Sequence, residues 1–458
     1  MSLPLLRPVD TAAPARGTSR AGIGFGYRFF LLILVGVGWI IPAFWDVRFL
    51  WGMAAWDTLV MVAWAIDLLL LPKPERIIVR RQWQGTPELG ADETVSLTLE
   101  NRSARALDCT VLDDVAVDLR REAPVLTVRA PAASSGTVDY QVHALQRGDR
   151  PVGNAYLRYR DGAQLGERWA MAPIAQTVRV YPNLTDAKRQ TMYLGRTRQI
   201  ELERRVLRQR GMGREFESLR EFRDGDDVRD ICWSATARRG KLVTKLHQVE
   251  RSQAVWLVLD CGRLLRTKLG ELCKLDYAAN AAVSLAQLAL YSGDRVGMLA
   301  YGRDTQARIL PGRGATQARE IVEALSLLSG ESSEADHLGA AARLMHLQRQ
   351  RALFVWLTDL ADAAMTPEVI EGAALLQSRH LVLFVVIGHP ELRQVANRMP
   401  ADVSQMYESA AAQELVHRRD VLLARLRERG ALALEVDPGA ISAALVNQYL
   451  SIKERALV

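Results

Sequence analysis

Two apolar runs near the N-terminus constrain this chain more than any other feature. "FFLLILVGVGWIIPAFW" (29–45) has no charged residue over 17 positions, and "FLWGMAAWDTLVMVAWAIDLLLL" (49–71) has only Asp57 and Asp67 over 23. A helix needs about 20 apolar residues to cross a bilayer, so both are read as transmembrane helices, within 29–72. Asp46, Val47 and Arg48 join them as the link of a hairpin. No small-x-small site follows the first run, and a second run comes at once, which disfavours a cleaved signal peptide. Arg7, Arg16, Arg20 and Arg28 precede the pair, and Lys73, Arg76, Arg80 and Arg81 follow it. Bases on both flanks put residues 1–28, an N-terminal tail, and everything after 72 in the cytoplasm. Acids are costly in lipid. Asp57 and Asp67 are read as structural, because two spans are too few for a transporter bundle.

The remainder divides by hydrophobic period. Residues 76–184 alternate with period two: Val95, Leu97 and Leu99 point one way and Thr94, Ser96, Thr98 and Glu100 the other. Short strands with turn residues every ten positions or so predict an antiparallel β-sandwich. Residues 186–241 are polar, with nine Lys or Arg between 186 and 215. Nucleic-acid binding is not expected there, because base stacking wants aromatic residues and this stretch has almost none. A solvated helix and hinge is the reading. From 242 to 458, "AVWLVLD", "RVGMLAY", "ALFVWLTD" and "LVLFVVI" are near-continuous apolar runs between helical patterns. Such strands are buried on both faces of a parallel sheet, which predicts a doubly wound α/β domain. The expected fold is thus multidomain: transmembrane hairpin, sandwich, hinge, α/β domain.

Chemistry is sparse. No GxxxxGK[ST], GxGxxG or GxSxG stands where a strand meets a helix. Cys109, Cys232, Cys261 and Cys273 form no CxxC pair, which argues for reduced thiols over a disulfide framework. In an open α/β sheet, ligands bind beyond the carboxyl ends of the strands. Asp260 and Asp359 stand there, a pair suited to a hard cation such as Mg²⁺. The other concentration of charge is "FESLREFRDGDDVRDICWSATARRGKL" (216–242), with six acids and six bases. It is read as a turn at Asp224-Gly225, an N-cap at Asp226 or Asp227, one short helix, and a stop at Gly240. Ile231, Trp233 and Ala235 would pack inward. Such a segment works as a charged clamp or a docking surface. The rival is acid/base catalysis by Glu217, Glu221, Asp226 and Asp227.

Strand–Asp followed by a later strand–Thr-Asp resembles the layout of von Willebrand factor A domains. The charged segment resembles the signature of the bacterial domain of unknown function 58 family. The matching residues are Glu215, Phe216, Leu219, Arg220, Glu221, Gly225, Asp226, Asp227, Arg229, Ile231, Trp233, Ala237 and Arg238, with Phe222 where Tyr is usual. The resemblance covers nearly the whole chain. It implies a protein of the bacterial inner membrane that binds a MoxR-type AAA+ ATPase and a client protein as scaffold or adaptor. Partner binding or structure would rest on Glu217, Arg220, Glu221, Gly225, Asp226, Asp227, Arg229, Trp233 and Arg238. The von Willebrand metal motif is Asp-x-Ser-x-Ser with a later Thr and Asp. Here it reads Asp260, Gly262, Leu264, then Ala335 and Asp359, so both serines and the threonine are missing. No cofactor is therefore expected. A metal-dependent enzyme using Asp260, Asp359 and the acidic signature is the alternative.

Overall fold

The computed structural model describes residues 17–183, 215–222, 228, 231–248, 253–360 and 367–455. It divides into two units, Met1–Tyr181 and Pro182–Val458.

The first unit joins a helical pair to a β-sandwich. The chain enters through β1 (Ser19–Phe25), runs up α1 (Tyr27–Val37) and the short α2 (Ile40–Ala43), and returns through α3 (Phe49–Leu70). Of these, α3 alone is long and apolar enough by itself to cross a membrane; Tyr27–Ala43 is a shorter apolar stretch. Close packing of α1 on α3 depends on Gly36, where a Cβ would lie 2.6 Å from the Asp57 carboxylate and 2.7 Å from the Trp56 ring. The Trp56 indole donates to the Leu32 carbonyl (2.8 Å). Leu34, Val35, Ile41, Leu59, Val62 and Leu69 face outward and are exposed.

The sandwich comprises β2 (Ile77–Trp83), β3 (Asp92–Asn101), β4 (Leu107–Val115), β5 (Val125–Ala130), β6 (Ser134–His143), β7 (Gly148–Arg160), β8 (Gly166–Ala172) and β9 (Gln176–Val180). One antiparallel sheet runs β2-β3-β6; the other runs β1-β8-β7-β4-β5, with β9 also paired to β7. Val95, Leu97 and Leu99 are all buried, as the alternation requires. Two expectations change here. Residues 19–25, assigned to the tail, pair with β8, with Gly24 opposite Glu167. Arg81, counted among the bases that follow the second apolar run, is buried with Asp113. Its guanidinium also donates to the carbonyls of Ile174 (3.0 Å) and Gly153 (2.8 Å), and the Tyr140 hydroxyl donates to Asp113 (2.6 Å). Arg81 lies on the first sheet and Asp113 on the second, so the pair pins the two together.

The base of α3 is bonded to this sandwich. Asp67 accepts from the backbone N–H groups of Leu165 (3.1 Å) and Gly166 (2.7 Å). Arg168 donates to the Leu68 carbonyl (2.9 Å). The acid that is costly in lipid is thus a structural anchor at the helix end.

In the second unit, β10 (Glu215–Glu221) pairs antiparallel with β11 (Val243–Gln248). The α/β domain follows: β12 (Ala254–Asp260), the short pair β13 (Lys268–Leu269) and β14 (Leu272–Cys273), then β15 (Arg295–Tyr301), β16 (Thr305–Gly312), β17 (Leu353–Thr358), β18 (Leu381–Ile387) and β19 (Leu432–Val436). The main sheet has the order β16-β15-β12-β17-β18-β19. It is parallel except for the edge strand β16. Every residue of β12 and β17 is buried. Trp256, Trp356, Phe354 and Phe384 fill the core on one face. Helix Lys274–Tyr291 contributes a face of buried Ala, Val and Leu and is followed by Gly293 at φ +85°.

Candidate functional site at the carboxyl edge of the sheet

The parallel register of β12 with β17 pairs Leu259 with Leu357, so the strands end together at Asp260 and Thr358-Asp359. Both acids are buried. Asp260 Oδ1 accepts the Gly262 N–H (2.7 Å) and Oδ2 accepts the Thr358 hydroxyl (2.7 Å). Burial pushes the Asp260 carboxyl above the usual carboxylate range, against the opposing pull of His337, Gly262 and Thr358.

Asp359 is bound on both oxygens by the chain's own cations. Oδ1 accepts from the Arg419 guanidinium and from the Leu360 N–H (2.8 Å). Oδ2 accepts from the Lys274 ammonium and lies 3.6 Å from His389 Nε2. Burial alone would raise its pKa; contact with His389, Arg419 and Lys274 outweighs that and holds it down at about 2. The Lys274 side chain is fully buried, and burial lowers it to about 8 despite the attraction of Asp359. Arg419 also donates to the Ile387 carbonyl (2.8 Å), and its Nε is 3.5 Å from Glu435. One carboxylate therefore ties the start of helix Lys274–Tyr291 and the middle of helix Val403–Glu428 to the end of β17, while Arg419 adds the ends of β18 and β19.

These donors do not fit a hard divalent ion, which wants about six oxygens. All four oxygens of Asp260 and Asp359 already accept within the chain. Position 262 is also tight: a Cβ on Gly262 would meet the Ala335 nitrogen at 2.9 Å and Asp260 Oδ1 at 3.0 Å. Among the described residues, no group of three or more His, Cys, Asp or Glu could hold a metal.

Sequence reasoning brought Asp260 and Asp359 together correctly but missed Lys274 and Arg419. A signal existed for the first. Lys274 stands in the first turn of its helix, where the helix dipole disfavours a cation, so it needs a strong partner. Arg419 sits in a helix crowded with charge, and nothing local marks it. A buried hydrogen-bonded trio behind the edge was also missed: the Trp356 indole donates to the Tyr301 hydroxyl (2.6 Å), which lies 2.8 Å from His337 Nδ1.

The charged signature is built differently from expectation. Glu217, Arg220 and Glu221 lie on β10, and for the first two only this strand placement is described. Gly225, Asp226, Asp227 and Arg229 fall outside the described residues, as does 186–214. A helix spans Trp233–Arg239, with Cys232 at its N-cap and Gly240 left-handed as its C-cap; the expected N-cap at Asp226 or Asp227 lies outside the described residues. Ile231 is buried, bridges to Thr244 and precedes the Cys232 N–H, which donates to the Val243 carbonyl (2.8 Å). Trp233, expected to face inward, is 65% exposed. Ile231 and Val243 already occupy the inner side, and the helix turns its first residue out. Glu221 pairs with Lys241 at 3.2 Å, both largely exposed, and Arg238 is exposed in the last turn.

Comparison with known proteins agrees with the signature. The family model described as "Protein of unknown function DUF58" matches residues 218–416. Uncharacterized proteins Rv1480 of Mycobacterium tuberculosis (strain ATCC 25618 / H37Rv) and Mb1516 of Mycobacterium bovis are each 25% identical over 184 residues. That is 39% of this chain and 56% of each relative, so the match spans little more than half of their length. Among solved structures, the conserved hypothetical protein BatB of Bacteroides thetaiotaomicron is 15% identical, with 44% of this chain and all of that chain covered and a TM-score of 0.28. The vWF domain of the type V pili tip protein Mfa5 of Porphyromonas gingivalis is 8% identical, covering 44% and 96%, with a TM-score of 0.30. Over residues 218–416, less than half of its length, the chain is similar to the DUF58 family of proteins of unknown function.

Proposed function

We propose that this chain is a membrane-anchored, non-catalytic scaffold that binds protein partners, with its two soluble parts in the cytoplasm at a bacterial inner membrane. The partners implied by the family resemblance are a MoxR-type AAA+ ATPase and a client protein. The observation that carries this reading is the exposure of Trp233 at 65%, with Val228 at 64% and Leu242 at 46%, on a segment otherwise rich in charge. Exposed Trp in a polar surround is the composition of an interface anchor. The carboxyl edge supports the same reading from the other side, because its acids are committed to internal partners and no reactive pair is left open.

Anchoring is supported by the first unit. β1 before the helical pair and Asp67 at its end both bond to β8, so the chain leaves and rejoins the sandwich on one side. The apolar residues facing outward on α1 and α3 need a lipid surround.

The test is affinity purification of the full chain from detergent-solubilised membranes, wild type beside Trp233→Ala. The wild type should recover an AAA+ ATPase, and the variant should lose it while keeping its unfolding temperature. Recovery of no ATPase removes that partner. Undiminished recovery with Trp233→Ala removes the signature as the docking surface.

A further inference from the structure

We propose that Lys274 and Arg419 are the resident cations of the carboxyl edge, standing where an α/β domain of this layout would otherwise place a divalent ion, so that this edge is complete without metal. The inference rests on the geometry of the edge and holds whether or not the chain is a scaffold.

Three observations meet here. First, Asp359, buried at the end of a central strand, needs compensating positive charge, because an isolated carboxylate is costly to bury. Second, that charge arrives from two directions. The Lys274 ammonium, on a fully buried side chain, takes one Asp359 oxygen, and the Arg419 guanidinium, 7% exposed, takes the other. Third, the backbone leaves little room for a hydroxyl-bearing side chain at 262, where a Cβ would meet the Ala335 nitrogen at 2.9 Å. His389, 26% exposed, caps the cluster beside Lys274.

Within the buried set Asp359 and Glu435 face Lys274 and Arg419, two acids against two cations, while the half-exposed Arg393 adds a further cation on the outer side of Glu435. A divalent ion entering this set would stand beside two fixed cations, which repel it. A tethered ammonium has no dissociation equilibrium with solvent. The edge then holds one state regardless of the metal concentration, and its five attached elements stay joined.

The experiment uses the full chain in detergent with Mn²⁺ as the probe. Free Mn²⁺ is counted by electron paramagnetic resonance, and unfolding is followed by tryptophan fluorescence. The wild type should take up no Mn²⁺ in the micromolar range and unfold at the same temperature with Mn²⁺ or with a chelator. Lys274→Met should lower the unfolding temperature by roughly 5 °C or more. The double variant Lys274→Met with Asp359→Asn should lose less than the two single losses combined, because each single change strands a charge that the double change removes. Micromolar Mn²⁺ uptake by the wild type that disappears in Asp359→Asn overturns the proposal. So does a Lys274→Met protein as stable as the wild type, or strict additivity in the double variant. If Lys274→Met does not fold, the wild-type titration decides alone.

Discussion

The charged signature and the carboxyl edge of the sheet use ions in opposite ways. The signature packs twelve charges into 27 residues, yet its described ion pair, Glu221 with Lys241, lies in solvent. The edge is reached through apolar runs in which charge is rare, yet Asp359, Lys274 and Arg419 are nearly or fully buried. Charge density in a sequence therefore marks surface more than clamp. A lone ion at the end of a buried strand, or in the wrong turn of a helix, is the better sign of one. The sandwich repeats the lesson with Arg81 and Asp113, which share a buried bond among strands that otherwise alternate simply.

The sharpest way to break this contrast is at Asp359. Asp359→Ala leaves Lys274 and Arg419 without their common partner in a dry site. Removing one member of a buried pair costs about 3–5 kcal/mol, and here two cations are stranded, so the upper end of that range is expected. Chemical denaturation of the full chain in detergent should show the loss in the transition of the α/β domain. A loss below about 1 kcal/mol, the value of an exposed pair, would make the edge no different from the signature.

What was legible follows from the same physics. The four parallel strands stood out because burial on both faces leaves continuous apolar runs, and the sandwich because burial on one face leaves alternation. The edge strands β16 and β19 did not. "TQARILPG" is partly exposed and mixed in character, and "LALEV" is short and half-buried. β1 was hidden because "SRAGIGF" buries none of its seven residues fully. β10 was hidden because "EFESLRE" has a charge pattern equally suited to a helix. At the site, the carboxylates were legible from strand ends. Their cations lay 85 and 60 residues away in sequence, a pairing that only the fold supplies.

A second, smaller effect should appear in acid. His380, just before β18, is buried with its ring 4.9 Å from Phe354. Burial, with Arg379 and Arg351 nearby, lowers its pKa from 6.5 to about 4. A group depressed in the folded state binds its proton more readily when unfolded, so its contribution to stability is present above about 6.5 and fades as pH falls toward 4. Asp359, held at about 2 against an ordinary value of 3.8, loses its own contribution mainly below pH 4, beneath that window. Unfolding followed between pH 7 and pH 4 should show the decline in the wild type and a flatter profile in His380→Phe. Identical slopes would assign the acid sensitivity elsewhere.

The smallest effect belongs to the signature. Glu221 and Lys241 keep 68% and 71% of their side chains exposed, and such pairs contribute about 0–1 kcal/mol because water and salt screen them. Glu221→Ala should therefore change stability by less than about 1 kcal/mol, and added salt should erase the difference. The backbone around it does the holding: Phe222 N–H donates to the Leu242 carbonyl (2.9 Å), and β10 pairs with β11 through Glu221 opposite Val243. Val243 is fully buried, so the local fold survives loss of the ion pair above it. A large, salt-resistant loss in Glu221→Ala would show that the signature clamps after all, and would erase the contrast with the carboxyl edge at its weaker end.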